Sequence, residues 1–203
     1  MNIWAVVPAK PLVLAKSRLG KALKPEHRAA LAKRMLEHTL EVLAGWDALA
    51  GVLLVSSDAE ICRMGENYQA SILREADVPG LNTSLERARV EVLRRGGSAL
   101  LVAAGDLPLL DRPSLAKMLA GGDASPLVAI APDHSKKGTN ALLLAPPAVI
   151  PFHFGPDSFS LHRRAAQAAG AALIQVDAPQ LAYDVDLPGD LKRREFSWFM
   201  MDL

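Results

Sequence analysis

Short apolar runs alternate with amphipathic stretches along the whole chain. The apolar runs predict strands at residues 3–7, 51–56, 70–73, 99–104, 127–131, 141–144 and 172–176. Apolar residues at helical spacing, with proline in the first turn and glycine at the end, predict a long helix from Pro25 to about Gly45. Strands that alternate with helices in this way predict an α/β fold with a largely parallel sheet, in one domain that spans residues 1–203.

A capping-box pattern marks the start of another helix. Thr83 and Glu86 have the spacing of a capping box and predict a helix from there to Arg95. Gly80 and Asn82 are then expected in the loop before this helix. These two residues either contact a nucleotide base or form an ordinary turn, and the turn is slightly favoured.

Three further helices are expected to begin at side chains that can cap them. Asp58 and Asp111 each precede a short helix, and Asp157 or Ser158 precedes one that ends near Gly170. The free N–H groups and positive dipole of that last helix suit a phosphate. Most helices have such a terminus without binding anything, so an ordinary capped helix is the alternative.

The stretch from Ala99 to Leu110 combines the longest uninterrupted apolar run with an acidic residue. An unbroken apolar run is typical of a strand that is buried on both faces. Asp106 follows directly after it, at the carboxyl end, where open α/β sheets bind ligands. A carboxylate there needs a cation, a metal or several N–H donors. The alternative is an aspartate that caps the following turn.

Two more aspartates occur close together near the C-terminus. Asp184 and Asp186 are two residues apart, which on an extended strand places both carboxylates on one side. Like charges that lie close repel each other unless a cation lies between them. Together with Asp106 they offer three hard oxygen ligands, which suits Mg²⁺. The alternative is three unrelated surface aspartates.

A basic loop follows the first predicted strand. Lys10, Lys16 and Arg18 fall within nine residues of one another, with Ser17 among them, and could hold a polyphosphate. The loop lacks the glycine spacing of a P-loop or a dinucleotide-binding fingerprint, which argues against those two families. A solvated loop with extended lysines is the alternative.

Composition narrows the class of protein further. Half of the 203 residues are hydrophobic and the net charge is +1, which is globular and offers no strong attraction to nucleic acid or to an anionic membrane. Cys62 is the single cysteine, so an internal disulfide is excluded. No signal peptide or membrane span is apparent, and a cytoplasmic protein is expected. An apolar tail from about residue 195 either packs on the core or forms a homodimer contact.

Six short motifs, taken in order, resemble those of the 2-phospho-L-lactate guanylyltransferases of coenzyme F-420 biosynthesis. They span almost the whole chain, at residues 7–19, 80–82, 106–108, 138–140, 154–159 and 184–186. Each motif alone is weak, but the ordered set is specific. The family is similar to the molybdenum-cofactor guanylyltransferases, whose glycine-rich opening loop is absent here. The resemblance implies a three-layer, Rossmann-like fold of the nucleotide-diphospho-sugar transferase type, with a mostly parallel sheet.

The resemblance also implies roles for the matching residues. Asp106, Asp184 and Asp186 match the family's Mg²⁺ ligands, and Asp106 is also expected to be catalytic. Catalytic and triphosphate-binding roles fall on the basic residues Lys10, Lys16 and Arg18. Nucleotide binding falls also on Gly80 and Asn82. The phosphorylated acid is expected at Thr139, Gly155 and Ser158.

The implied reaction transfers GMP from GTP to a small phosphorylated acid and releases pyrophosphate. Family members use 2-phospholactate, phosphoenolpyruvate or 3-phosphoglycerate, and the sequence leaves this choice open. A sugar-phosphate or molybdenum-cofactor nucleotidyltransferase, a metal-dependent glycosyltransferase, and a nucleotide-binding module without catalysis remain as alternatives. His153 and His162 flank the substrate motif, but the sequence gives them no role.

Overall fold

A computed structural model describes residues 1–122, 124–193 and 196 of the chain. The strands are β1 (Ile3–Pro8), β2 (Gly51–Ser56), β3 (Ser71–Arg74), β4 (Ala99–Ala103), β5 (Leu127–Pro132), β6 (Thr139–Ala145) and β7 (Ala172–Gln175). The helices are α1 (Pro25–Leu43), α2 (Ala59–Asn67), α3 (Leu81–Arg94), α4 (Arg112–Met118), α5 (Ser158–Ala168) and α6 (Pro179–Ala182). Short 3₁₀ turns cover Leu12–Leu14, Ser17–Lys21 and Asp190–Lys192.

The seven strands form one sheet in the order β3-β2-β1-β4-β6-β5-β7. All pairs are parallel except those of β6, which runs antiparallel to both β4 and β5. Apolar side chains on one face of the sheet pack against α1, α2, α4 and α6. Those on the other face pack against α3 and α5. The expected three-layer α/β fold with a mostly parallel sheet is therefore confirmed.

One predicted helix start and one predicted side-chain cap differ from the structure. α3 begins at Leu81 rather than at Thr83, and its N-cap is Gly80 with a φ of 97° and no side-chain cap. The capping box is therefore absent, because the glycine reaches a φ that other residues avoid and ends the preceding loop earlier. Asn82 consequently lies in the first turn of α3 and not in the loop before it. Asp157 is the N-cap of α5, as predicted, but its side chain caps nothing.

A β-bulge interrupts the pairing of β5 with β6. Ala131 pairs with Ala141, but Pro132 pairs with Thr139, so Asn140 is an extra residue in β6. The Asn140 amide nitrogen donates to the Leu181 carbonyl oxygen of α6 on one face of the sheet. Thr139 instead turns its hydroxyl towards α5 on the opposite face. The bulge thus determines which layer Thr139 contacts.

A third, smaller core lies beside the sheet. Phe196 is 2% exposed and packs with Leu19, Leu31, Met35 and Val185. This residue of the apolar tail therefore packs on the same chain. Residues 197–203 lie outside the described part, so the homodimer contact expected there stays a prediction. None of the helices in the described ranges has the length and apolar character needed to cross a membrane.

Candidate active site

A cavity of about 470 Å³ opens at the carboxyl ends of β1, β2 and β4, where α/β sheets commonly bind ligands. Most of the sequence-predicted residues for the nucleotide and the metal line it together. They are Lys10, Lys16, Arg18, Gly80, Asp106 and Asp186. Asn82, Asp184, Thr139, Gly155 and Ser158 are outside this lining. The fold therefore gathers the basic loop and two of the aspartates at one edge of the sheet.

The basic loop is fixed to the body of the protein by Asp58. One carboxylate oxygen accepts from the Leu12 N–H at 2.9 Å, and the other caps α2 by accepting from the Glu60 N–H at 2.8 Å. Burial alone would raise the pKa of Asp58, but these backbone donors outweigh it and lower the pKa below its usual value. Asp58 thus caps its helix as predicted and also holds the loop over the end of β2.

Lys16 lies between two of the predicted metal ligands. Its Nζ is 2.6 Å from Asp106 Oδ2 and 3.1 Å from Asp186 Oδ1, and its side chain is 6% exposed. Burial disfavours the charged ammonium, but the two carboxylates outweigh that effect and raise the pKa of Lys16. Arg18 contacts the other oxygen of Asp186 at 3.1 Å from a largely exposed position. Two of the three predicted phosphate-binding cations, Lys16 and Arg18, are therefore paired with predicted metal ligands.

Asp184 completes the acidic cluster from the segment that follows α6. Asp184 and Asp186 lie between α6 and the last 3₁₀ turn of the described residues, in a segment that is neither strand nor helix. The Asp190 carboxylate caps this segment by accepting from the Asp186 and Leu187 N–H groups. Burial, and then the charges of Asp106 and Asp186, raise the pKa of Asp184 to about 6. Asp184 thus lies near the other two carboxylates and is repelled by them.

The donor set suits a hard divalent cation. Asp106, Asp184 and Asp186 offer only carboxylate oxygen, which is the ligand type that Mg²⁺ prefers. Within the described residues, no three acidic, histidine or cysteine side chains already have the arrangement of a metal site. Lys16 occupies the space between two of the carboxylates instead. The residues fit Mg²⁺ by chemistry, with Lys16 as the cation of the metal-free arrangement.

The predicted acid-binding residues form a second cluster between β6 and α5. Ser158 Oγ is 3.3 Å from Thr139 Oγ1, and the Ser158 N–H donates to the Gly155 carbonyl oxygen at 3.2 Å. Gly155 has a φ of 129°, and a Cβ built there would meet no atom within 4 Å. The structure therefore brings these three residues together, with open space at the glycine. Ala104, two residues before Asp106, donates to the Asn140 carbonyl, so this cluster lies beside the end of β4.

Asn82 has a contact that the sequence did not predict. Its amide nitrogen donates to the Phe154 carbonyl at 2.9 Å, and its amide oxygen accepts from the Phe154 N–H at 2.8 Å. Asn82 therefore ties the first turn of α3 to the segment that contains Gly155. Its expected contact with the nucleotide stays a prediction.

Two buried residues of these sites were missed by the sequence reasoning. Glu75 follows β3, and its side chain is 7% exposed and lines the cavity. Its carboxylate accepts from Ser84 Oγ at 2.8 Å and from Arg87 at 3.1 Å. An acidic residue two positions after the end of a predicted strand was the available signal, as it was for Asp106. His162 is fully buried and contacts Thr139, but its sequence position alone carries no comparable signal.

Solved structures of enzymes that act on nucleotides share this architecture. A nucleotidyl transferase from Methanothermobacter thermautotrophicus has a TM-score of 0.68 and 20% identity, with 98% of each chain covered. A glucosyl-3-phosphoglycerate synthase from Mycobacterium tuberculosis, solved with Mg²⁺ and uridine diphosphate, has a TM-score of 0.63 and 11% identity, covering 93% of this chain and 73% of that one. The fold is that of the nucleotidyltransferases and related nucleotide-diphospho-sugar transferases.

Sequence comparison then identifies the family. The family model described as "Guanylyl transferase CofC like" matches residues 3–195. A phosphoenolpyruvate guanylyltransferase from Rubrobacter xylanophilus is 42% identical, over 97% of this chain and 95% of the relative. A 3-phospho-D-glycerate guanylyltransferase from Colwellia psychrerythraea is 33% identical, over 95% and 90%. The chain belongs to the CofC-like guanylyltransferases and is a nucleotidyltransferase, which confirms the resemblance stated from its motifs.

Proposed function

We propose that the protein transfers GMP from GTP to a small phosphorylated acid and releases pyrophosphate, as a step in coenzyme F-420 biosynthesis. The observation that carries the proposal is a single cavity with Lys16, Asp106 and Asp186 at one end and Glu75 at the other. Phosphoenolpyruvate and 3-phosphoglycerate are the first candidates, because the relatives are named for them. 2-Phospholactate is the third. GTP as the donor substrate favours a cytoplasmic site of action.

The cavity can hold a nucleotide along the edge of the sheet. Asp106 follows β4 and Glu75 follows β3, three strands away, which is roughly 14 Å at the usual strand spacing. That separation suits a nucleotide with its phosphates at Lys10, Lys16 and Arg18 and its base near Gly80. The phosphate end therefore combines cations with the predicted metal-binding carboxylates, and the base end offers the Glu75 carboxylate.

Glu75 supports guanine as the base. Guanine presents two adjacent N–H donors on one edge, and a carboxylate can accept both. Adenine and cytosine lack that pair, and uracil has one such donor. Ser84 and Arg87 each take one acceptor position on Glu75, which leaves further lone pairs on both oxygens. With a base that lacks these donors, the buried Glu75 carboxylate would keep an unpaired acceptor, which is costly.

Asp106, Asp184 and Asp186 would hold Mg²⁺. The ion would supply positive charge to the phosphates of the nucleotide and to the pyrophosphate that leaves. Lys16 and Arg18 contribute positive charge at the same place, and Asp58 keeps their loop in position. The chain's own residues thus provide both the ligands and the cations that this end of the cavity needs.

The phosphorylated acid would bind at Thr139, Gly155 and Ser158. One of its phosphate oxygens forms a bond to the α-phosphorus of GTP, and the bond between that phosphorus and the bridging oxygen of the β-phosphate breaks. The electron pair leaves with pyrophosphate. The attacking oxygen is already anionic, so the reaction needs no general base.

Pyrophosphate release tests this proposal. The purified protein with Mg²⁺ is given GTP together with 2-phospholactate, phosphoenolpyruvate or 3-phosphoglycerate, and then ATP, CTP or UTP with the best acid. We expect release with GTP and at least one acid, and little with the other nucleotides. Equal rates with ATP would contradict the guanine assignment. Binding of GTP without release for any acid would identify a non-catalytic nucleotide-binding module.

A further inference from the structure

His162 is a buried histidine next to the predicted acid-binding residues. It is fully buried on α5, with Nδ1 3.1 Å from Thr139 Oγ1. Its other ring nitrogen, Nε2, is 3.0 Å from the backbone nitrogen of His153. The Phe154 ring packs against it edge to face at 4.9 Å between centroids. Both ring nitrogens are therefore engaged, and the imidazole is held by contacts on several sides.

These contacts determine which ring nitrogen carries the proton. A backbone N–H can only donate, so Nε2 must accept from His153 and cannot carry a hydrogen. Burial, together with the nearby His153, lowers the pKa of His162 to about 4, so the ring is neutral near pH 7. A neutral imidazole has one N–H, which must then be on Nδ1. His162 consequently donates to Thr139 Oγ1.

Because His162 is the donor, one hydroxyl proton of the Thr139–Ser158 pair has no acceptor. Thr139 and Ser158 have two hydroxyl protons, and one of them forms the bond between their oxygens, 3.3 Å apart. Because His162 donates to this pair, it cannot accept the second proton. No other acceptor for either hydroxyl is present within the described ranges. With the opposite tautomer, Ser158 would donate to Thr139 and Thr139 to His162, and no proton would remain.

An open backbone position at Gly155 lies close in the chain to the Ser158 hydroxyl. Nothing lies within 4 Å of a Cβ built at Gly155, whose carbonyl accepts from the Ser158 N–H. Ser158 is also the first residue of α5, an eleven-residue helix whose amino end favours negative charge. The unused hydroxyl proton, the glycine and the helix end are thus next to one another.

We propose that His162 is a positioning residue, which donates to Thr139 and so turns one hydroxyl proton of the Thr139–Ser158 pair towards an anionic group of the phosphorylated acid. The proposal rests on the proposed function, because it takes the acid-binding role of this pair from there. His162 itself touches neither the substrate nor the reacting atoms. This positioning role also accounts for a buried histidine that lies beside the acid-binding residues and has no acid–base role in the reaction.

Two substitutions at this position separate positioning from packing. His162→Asn keeps an N–H donor close to the place of Nδ1 but loses the contact with His153. His162→Gln can reach the His153 N–H but offers no donor to Thr139. In calorimetric titrations with phosphoenolpyruvate, 3-phosphoglycerate and 2-phospholactate, we expect His162→Gln to weaken acid binding about tenfold and His162→Asn by no more than about twofold. GTP binding should stay at the wild-type level in both.

A role in packing alone predicts a different result. It would weaken acid binding equally in the two variants, in step with their melting temperatures, and that outcome overturns the proposal. Failure of the proposed function is distinguishable, since the wild-type protein would then bind none of the three acids.

The tautomer can be read in the wild-type protein even if a variant fails to fold. Nitrogen NMR of protein labelled with ¹⁵N-histidine distinguishes a protonated Nδ1 from a protonated Nε2. We expect the His162 signals of a neutral ring with the proton on Nδ1. A proton on Nε2 would overturn the proposal, because Nδ1 would then accept the hydroxyl proton that the substrate needs.

Discussion

Lys16 Nζ lies 2.6 Å from Asp106 Oδ2, in an ion pair between a nearly buried lysine and a partly exposed aspartate at the edge of the cavity. Lys16 holds a left-handed backbone conformation, with a φ of 49°, which costs energy for a residue with a side chain. The same Nζ also reaches Asp186. A strained lysine that joins two carboxylates indicates that this corner is arranged around charge, which is the property that phosphate chemistry requires.

Asp106→Asn is expected to lower the rate of pyrophosphate release by about a hundredfold or more with saturating Mg²⁺, because removal of one group that stabilises transition-state charge has an effect of this order. The fold should persist, since an amide can still accept from Lys16. Asp47→Asn, on an exposed connection after α1, is the matched control and should have the wild-type rate. A normal rate for Asp106→Asn would remove Asp106 from the metal and catalytic roles.

Asp184 is expected to make the metal-free protein less stable as the pH rises from about 4 to about 6. Its pKa is about 6 in the folded protein and 3.8 as its ordinary value, so the folded state binds more protons in this interval. Asp184→Asn should remove that fall. The effect is about 1–2 kcal/mol, after allowance for partial solvent screening.

Urea unfolding of both proteins without Mg²⁺, at steps between pH 4 and 7, measures the difference. His162 acts in the opposite sense, because its pKa falls from 6.5 to about 4 and stability therefore rises with pH over part of the same interval. Both proteins contain His162, so the difference between their curves reports Asp184. Parallel curves would contradict the raised pKa.

The strand pattern was readable from the sequence because it depends on local composition. The apolar runs at 51–56 and 99–104 correspond to β2 and β4, and Asp106 follows β4 as expected. The position of α3 was less accessible, since a glycine with positive φ replaced the side-chain cap that Thr83 and Glu86 suggested. A positive φ at a glycine has no signature in the hydrophobic pattern.

Contacts between distant segments could not be predicted from the sequence. Asn140 forms a bulge only because of the register between β5 and β6, and this bulge turns Thr139 towards His162. Asp184 and Asp186 reach Asp106 from an irregular segment that follows α6. The Mg²⁺ ligands and acid-binding residues taken from the family resemblance stay predictions, and the variants described here test them.

Glu75→Gln is expected to change nucleotide choice. An amide can accept one hydrogen bond and donate another, which no longer suits the paired donors of guanine but suits the N–H and carbonyl of xanthine. The KM for GTP should rise by about tenfold or more, and XTP should become a better substrate than it is for the wild type. Glu66→Gln, exposed on α2, is the control. An unchanged preference between GTP and XTP would place the base elsewhere.

Thr139→Val is expected to weaken binding of the phosphorylated acid about five- to tenfold and to leave GTP affinity unchanged. The substitution should also lower the free energy of unfolding by about 1–3 kcal/mol, because it leaves His162 Nδ1 without its acceptor. Thr139→Ser retains the hydroxyl and should bind the acid within about twofold of wild type. Separate titrations with acid and GTP measure both, and a loss confined to GTP would mean that the two pockets are reversed.

Phe196→Ala is expected to destabilise the protein and to raise its Mg²⁺ requirement. The phenyl ring is buried against Leu19 and Val185, and these residues adjoin Arg18 and the two C-terminal aspartates. Truncation of a buried phenylalanine costs about 3–5 kcal/mol, since the cavity fills only partly. Relaxation into that cavity moves the basic loop and the Asp184–Asp186 segment relative to Asp106.

Leu127→Ala distinguishes a local effect from general loss of stability. Leu127 is equally buried but begins β5, which is separated from the strands of the cavity by β6, and its truncation costs about 2–5 kcal/mol. Urea unfolding should show comparable losses in the two variants. Pyrophosphate release against Mg²⁺ concentration should be shifted to higher concentrations in Phe196→Ala alone, because only that cavity adjoins the aspartates. Equal shifts in both would show that Phe196 contributes stability and has no specific part in holding the metal ligands.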